Sequence, residues 1–117
     1  MKILIVDDEQ DIRDMISDVL TSFGNQTQTA NNIKTATAQI EEFKPELILL
    51  DLKLDKEDGM DVLKYSKTSH KDIKVIVITG FSEKDTEQTV RSLGADGFTT
   101  KPINVGNLNK LIQEVTL

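Results

Sequence analysis

Short runs of hydrophobic residues alternate along the chain with longer stretches of helical periodicity. Four-residue apolar runs occupy positions 3–6, 47–50 and 75–78, and runs of this length are typical of strands buried on both faces. Between them, apolar residues recur every three or four positions, which is the period of an amphipathic helix. Five strand–helix units follow one another, so the pattern predicts a parallel sheet with helices on both faces.

Glycine, proline and capping residues mark the ends of the predicted helices. The apolar stripe of the first helix reaches Phe23 before Gly24, and a glycine at this place is typical of a helix C-terminus. Phe23 and Phe43 both continue helical stripes and are predicted to lie in the core. Side-chain caps are predicted for the second, fourth and fifth helices: Asn31 or Asn32, Ser82 with Asp85, and Asn104.

Two segments carry weaker signals. Residues 25–30 read NQTQTA, which offers little to bury, so we predict an edge strand there. Residues 52–58 read LKLDKED and are predicted to form a polar loop.

The chain is too short for an eight-stranded barrel of about 250 residues, so the sequence predicts an open, doubly wound α/β sheet.

Composition excludes several classes of function. The chain has 117 residues, 20 acidic and 14 basic side chains and a net charge of −6, which argues against direct nucleic acid binding. It has no cysteine, and therefore no disulfide or thiolate metal site. None of its apolar runs approaches the roughly 20 residues of a membrane span. We expect a single cytoplasmic domain over residues 1–117, with no output domain and no membrane contact.

Chemically capable side chains follow four of the five predicted strands. Asp7 and Asp8 follow the first strand, Asp51 the third, Thr79 the fourth and Lys101 the fifth. Ligands of open α/β sheets bind beyond the carboxyl ends of the strands. If the strand order is 2-1-3-4-5, these five side chains converge on one pocket.

Three converging carboxylates need a compensating charge or a proton. A like-charge pair at 4 Å costs about 4 kcal/mol at an effective dielectric constant of 20. Proton uptake is one remedy, and a hard divalent cation such as Mg²⁺ is another. Lys101 can pair with a carboxylate or with an arriving oxyanion, and Thr79 offers a hydroxyl donor. These groups together predict phosphoryl transfer with a carboxylate as the covalent acceptor.

Six short motifs occur in a fixed order along the chain: ILIVDDE at 3–9, LLD at 49–51, DG at 58–59, ITG at 78–80, GAD at 94–96 and KP at 101–102. With these motifs the whole chain resembles the receiver domain of bacterial response regulators, in the manner of single-domain chemotaxis and sporulation-relay regulators. The resemblance implies a flavodoxin-like fold with strand order 2-1-3-4-5.

The resemblance also implies a metal-assisted acceptor. Asp51 is expected to take a phosphoryl group from a phosphohistidine. Asp8, Asp51 and the backbone carbonyl of Lys53 are expected to bind Mg²⁺ directly, with Mn²⁺ as an alternative ion. Asp7 is expected to act through a metal-bound water.

Switching residues follow from the same resemblance. Thr79 and Lys101 are expected to bind phosphoryl oxygens, and the Lys101–Pro102 bond is expected to be cis. Phe98 matches the aromatic switch, and the fourth helix, fifth strand and fifth helix match the surface that reads the phosphorylated state.

The resemblance implies a signalling switch that catalyses only its own phosphorylation and dephosphorylation. Its partners would be a sensor histidine kinase or a histidine phosphotransfer protein, and a downstream target or a missing output domain. A monomer or a weak phosphorylation-linked dimer is expected.

The alternative functions are a Mg²⁺-dependent phosphatase with an aspartyl nucleophile and a flavin-binding protein. The first lacks its D-x-D motif here, and the second lacks its phosphate-binding loop.

The chain departs from the family pattern beside the acceptor. Asp55 stands where the family usually has proline, and Glu57 stands where it has an apolar residue. We therefore expect a less rigid and more acidic loop. The Lys53 side chain lies beside the acceptor or points to solvent.

Overall fold

A five-stranded sheet forms the centre of the computed structural model, which describes residues 1–80 and 85–117. The elements follow in chain order: β1 Lys2–Val6, α1 Gln10–Ser22, β2 Gln26–Ala30, α2 Ile33–Phe43, β3 Leu47–Leu50, β4 Lys53–Leu54, β5 Glu57–Asp58, α3 Met60–Ser69, β6 Lys74–Thr79, α4 Thr86–Ser92, β7 Gly97–Thr100 and α5 Val105–Thr116.

All pairs of the central sheet are parallel, in the order β2-β1-β3-β6-β7. Without the two short strands β4 and β5, this is the predicted order 2-1-3-4-5. The polar segment forms strand β2 at one edge of the sheet, as predicted. Within the described part of the chain, no helix combines the length and apolar composition of a membrane span.

Alternate residues of each central strand face opposite layers of core. On β1, Leu4 and Val6 belong to one buried cluster, together with apolar residues of α2, α3 and α4. Ile3 and Ile5 belong to a second cluster, with residues of α1 and α5. The central strands are therefore buried on both faces, as their continuous apolar runs predict. This confirms the predicted α/β architecture.

Two of the predicted helix caps are confirmed. The Asn32 side chain accepts a hydrogen bond from the Thr35 amide at 2.8 Å, and the Thr35 hydroxyl accepts one from the Asn32 amide at 3.3 Å. The Asn104 side chain accepts a hydrogen bond from the Asn107 amide at 3.0 Å. Ser82 of the third predicted cap lies outside the described residues.

Phe23 and Phe43 do not lie in the core as predicted. Phe23 is 55% exposed because α1 ends at Ser22, so the helical stripe no longer sets its direction. Gly24, with φ of 92°, then turns the chain toward β2. Phe43 is the last residue of α2 and is half-buried, with the Lys2 ammonium 5.5 Å from its ring centre.

The segment predicted as a polar loop after Asp51 forms a two-stranded antiparallel hairpin, β4–β5. Leu54 anchors the hairpin because its side chain is fully buried in the core. Asp55 makes the turn with φ of 57°, in the left-handed region that aspartate tolerates better than most residues. The segment is therefore a hairpin with one buried anchor, where the sequence predicted a polar loop.

Candidate functional site

The carboxyl ends of four neighbouring strands meet at one edge of the sheet. Asp7 and Asp8 follow β1, Asp51 follows β3, Thr79 ends β6 and Lys101 follows β7. A cleft of about 360 Å³ opens at this edge. It is lined by Asp8, Glu9, Asp51, Lys53, Thr79, Gly80 and Lys101.

Lys101 bridges two buried carboxylates. Its Nζ lies 2.8 Å from Asp51 Oδ2 and 2.9 Å from Asp7 Oδ2, and Glu9 Oε1 is 3.7 Å away. Burial lowers the pKa of Lys101, but the hydrogen bonds to Asp51 and Asp7 outweigh burial and raise that pKa above its ordinary value. The ammonium is therefore charged at neutral pH and offsets part of the repulsion between the carboxylates.

Asp7 is the more constrained of the two carboxylates after β1. Its Oδ1 accepts a hydrogen bond from the Glu9 amide at 2.8 Å, and its backbone carbonyl accepts one from Arg13 at 2.8 Å. Burial raises the pKa of Asp7, and the hydrogen bonds from Glu9 and Lys101 only partly oppose that rise. An ionised Asp7 therefore costs the folded protein free energy that a bound cation would reduce.

Asp7→Asn is expected to stabilise the Mg²⁺-free protein at pH 7 by about 1 kcal/mol. Because the pKa of Asp7 is raised in the folded state, the folded protein holds more protons than the unfolded chain between the ordinary pKa of 3.8 and the higher pKa of the folded state. The stability of the native protein therefore falls as pH rises through the folded pKa, and the variant lacks that loss. Urea unfolding of the native protein and the variant at pH 4 and pH 7 checks this. The expected linkage would be contradicted if their unfolding free energies differed by the same amount at both pH values.

Asp8 completes a group of three carboxylates with Asp7 and Asp51. One oxygen from each residue lies within 4.8 Å of the other two. Carboxylate oxygens are the ligands that a hard cation such as Mg²⁺ prefers, so a group this compact would attract one ion to this edge of the sheet. The donor set fits a hard divalent cation, with room for water and a phosphoryl oxygen in the cleft.

The structure also describes three other features implied by the resemblance. The Lys53 amide donates to Asp51 Oδ1 at 3.1 Å, and the Lys53 side chain is exposed. The Lys101–Pro102 peptide bond is cis. Phe98 is half-buried in β7, packed against the core cluster that contains Leu4 and Val6.

Two contacts of the site were missed from the sequence. The Asp55 amide donates to Asp8 Oδ2 at 3.0 Å, and Arg13 donates to the Asp7 carbonyl. A backbone amide carries no side-chain signal, so only the departure from proline at position 55 pointed there. Arg13 lies six positions beyond Asp7, and its spacing on the following helix was the available signal.

Gly59 allows the backbone to turn tightly beneath the acceptor. A Cβ atom at this position would clash with the carbonyl oxygen of Asp51 and lie 2.8 Å from Leu52 Cα. The Gly59 amide also donates to the Leu52 carbonyl at 2.6 Å. The glycine is thus required by close approach of two backbone segments.

Gly59→Ala is expected to lower the free energy of unfolding by about 2 kcal/mol, since two backbone segments must separate. Gly106→Ala is the matched control, because its Cβ would meet only Asn104 Oδ1 at 3.4 Å. That change in the first turn of α5 is expected to stabilise the protein by up to about 1 kcal/mol. Urea unfolding of both variants measures their free energies of unfolding. The close approach would be contradicted if Gly59→Ala proved as stable as Gly106→Ala.

Comparison with known proteins agrees with this geometry. The family model described as response regulator receiver domain matches residues 3–113. Sporulation initiation phosphotransferase F of Bacillus subtilis is 34% identical over 97% of this chain and 91% of its own length. The regulatory protein AtoC of Escherichia coli is 32% identical over 96% of this chain, which spans 24% of that relative.

Solved structures give the same result. The receiver domain of NtrX from Brucella abortus has a TM-score of 0.91 at 33% identity, over 97% of both chains. Similarity in sequence and in structure thus extends over nearly the whole chain. This protein belongs to the response regulator receiver domain family.

Proposed function

We propose that Asp51 accepts a phosphoryl group from a phosphohistidine on a partner protein. The observation that carries the proposal is the placement of Asp51 within the group of three carboxylates, with its Oδ2 2.8 Å from the Lys101 ammonium. A carboxylate oxygen of Asp51 forms the new P–O bond as the P–N bond of the phosphohistidine breaks. The imidazole nitrogen leaves with the electron pair.

Asp8, Asp51 and the backbone carbonyl of Lys53 would hold a Mg²⁺ ion, and Asp7 would act through a water on that ion. The ion would neutralise charge on the phosphoryl oxygens during transfer; Mn²⁺ has the same preference for oxygen ligands. Lys101 would pair with a phosphoryl oxygen, and the Thr79 hydroxyl would donate to another.

Phosphorylation would then reach a surface formed by α4, β7 and α5. Thr79 ends β6, which pairs with β7 through Thr79 and Thr100 and through Val77 and Phe98. A shift of Thr79 toward the phosphoryl group would therefore act on the strand that carries Phe98. Helix α4 buries only Thr86 and Val90 among its residues, so few contacts oppose its displacement.

The wider role follows from this chemistry. We propose that residues 1–117 act as one receiver module in the cytoplasm, phosphorylated by a sensor histidine kinase or a histidine phosphotransfer protein. The phosphorylated form would control a target protein or an output domain, as a monomer or a weak dimer. The name phosphotransferase of the Bacillus subtilis relative supports a relay role. Self-phosphorylation and dephosphorylation would be its only catalysis. The alternative of a Mg²⁺-dependent phosphatase acting on other substrates is not favoured, because the receiver family model matches residues 3–113.

Intact-mass measurement with a small phosphodonor tests the proposal. The protein is incubated with acetyl phosphate in Mg²⁺ or in EDTA. We expect one added phosphoryl group per chain with Mg²⁺ and none with EDTA. No gain by folded protein at saturating Mg²⁺ would contradict the proposed acceptor site.

A further inference from the structure

The hairpin that follows the acceptor is tied to Asp8, the proposed metal ligand that follows β1. The Asp55 amide at its turn donates to Asp8 Oδ2 at 3.0 Å, although 47 positions separate the two residues. The amide can point there because Asp55 adopts φ of 57°. The contact therefore depends on the backbone conformation of one residue.

A second contact holds the same hairpin against α2. Glu57 Oε1 accepts a hydrogen bond from the Ile33 amide at 2.8 Å, and Ile33 is the first residue of α2. Amides in the first turn of a helix lack partners within the helix and favour a negative charge. Glu57 thus fixes the strand that follows the turn, two residues from Asp55.

Neither contact could be made by the residues that the family usually has here. Proline has no amide hydrogen, and its ring fixes φ near −65°, so it could neither donate to Asp8 nor adopt the observed turn. An apolar residue at position 57 could not accept the Ile33 amide. Both ties therefore come from the positions at which this chain departs from the family pattern.

We propose that the Asp55 amide and the Glu57 carboxylate are positioning groups that orient the Asp8 carboxylate for cation binding. A hydrogen bond to one carboxylate oxygen sets the rotation of the whole group, and such outer partners typically contribute 10–100-fold to metal affinity. The buried anchor Leu54 and the Glu57–Ile33 contact hold the amide in place. This inference rests on the proposed Mg²⁺ site and assigns it two further determinants.

Calorimetric titration with Mg²⁺ alone tests the role of the amide. Asp55→Pro removes the amide hydrogen and forbids the turn, whereas Asp55→Asn keeps both and loses the same charge. We expect the dissociation constant for Mg²⁺ to rise about tenfold in Asp55→Pro. The conservative Asp55→Asn should restore an affinity close to that of the native protein. Equal affinities in both variants, or tighter binding in Asp55→Pro, would overturn the proposal.

Glu57 gives a second test that does not depend on the proline variant folding. Glu57→Ala removes the acceptor of the Ile33 amide, and Glu57→Gln retains an acceptor oxygen. In the metal-free protein, amide hydrogen exchange at Ile33 and Asp55 should accelerate severalfold in Glu57→Ala and stay near native in Glu57→Gln. The affinity for Mg²⁺ should likewise fall in Glu57→Ala and stay near native in Glu57→Gln. Unchanged exchange and affinity in Glu57→Ala would overturn the role of Glu57.

The titrations separate the two levels of the proposal. If the native protein binds Mg²⁺ and the Asp55→Pro and Glu57→Ala variants bind it equally well, the positioning role is wrong and the metal site stands. If the folded native protein binds no Mg²⁺ even at millimolar concentration, the proposed metal site and the positioning role both fail.

Discussion

Lys101→Met should lower the unfolding free energy of the Mg²⁺-free protein by about 3 kcal/mol at pH 7. Methionine keeps most of the side-chain volume but removes the ammonium that lies within 3 Å of Asp7 Oδ2 and Asp51 Oδ2. Both carboxylates are about 95% buried, at 4% and 5% exposure. The variant must therefore hold two neighbouring buried carboxylates without their cation, or bind a proton between them.

Urea unfolding with and without Mg²⁺ measures this effect. The pKa of Lys101 is raised in the folded state, so its contribution is fully present below its ordinary value of 10.5 and is lost only at higher pH. Saturating Mg²⁺ should recover part of the loss, because the ion neutralises the same carboxylates. Lys53→Met is the matched control, since that exposed lysine lines the same cleft, and it should change stability by less than about 0.5 kcal/mol.

Equal losses in the two lysine variants would contradict a bridging role for Lys101. If Mg²⁺ did not reduce the loss of unfolding free energy in Lys101→Met, the ion and the ammonium would not be neutralising the same carboxylates. Either result would remove the electrostatic basis of the acceptor site.

The parts of the fold predicted best are those in which one physical requirement determines the residue type. Strands buried on both faces must be apolar throughout, so β1, β3 and β6 were evident as continuous hydrophobic runs. The edge position of β2 followed from its polar composition. The strand order came from the family resemblance, because hydrophobic patterning does not say which strands are neighbours.

Predictions failed where a single residue or a backbone group decides the outcome. The stripe of α1 placed Phe23 inside, but the helix ends one residue earlier and the ring is exposed. The hairpin after Asp51 was hidden in a polar segment, because one buried residue, Leu54, anchors it. The Asp55–Asp8 contact depends on a backbone amide, which no side-chain pattern reveals.

Convergence of the site residues was predictable, but the way they pair was not. Strand ends and the implied order were enough to expect Asp7, Asp51 and Lys101 at one edge. The bridge from one ammonium to both carboxylates depends on side-chain rotamers and on burial within the cleft. Those are set by packing around the site, which the linear sequence does not show.

Asp51→Asn should abolish phosphoryl uptake from acetyl phosphate while the protein remains folded. The amide keeps the shape of the carboxyl group and can still accept the hydrogen bond that the Lys53 amide makes with Asp51. It lacks the anionic oxygen that must attack phosphorus. Intact-mass measurement at saturating Mg²⁺ should show full loading of the native protein and none of the variant, with unfolding curves confirming that both are folded.

Locating the phosphoryl group on the native chain tests the central claim most directly, because Asp7 and Asp8 have oxygens within 4.8 Å of one on Asp51. Borohydride reduces an acyl phosphate by hydride transfer to a primary alcohol and releases the phosphate, so the modified aspartate becomes homoserine. Tandem mass spectrometry of the reduced, digested protein then identifies the position. The expected result is homoserine at position 51 alone, and homoserine at position 7 or 8 would contradict Asp51 as the acceptor.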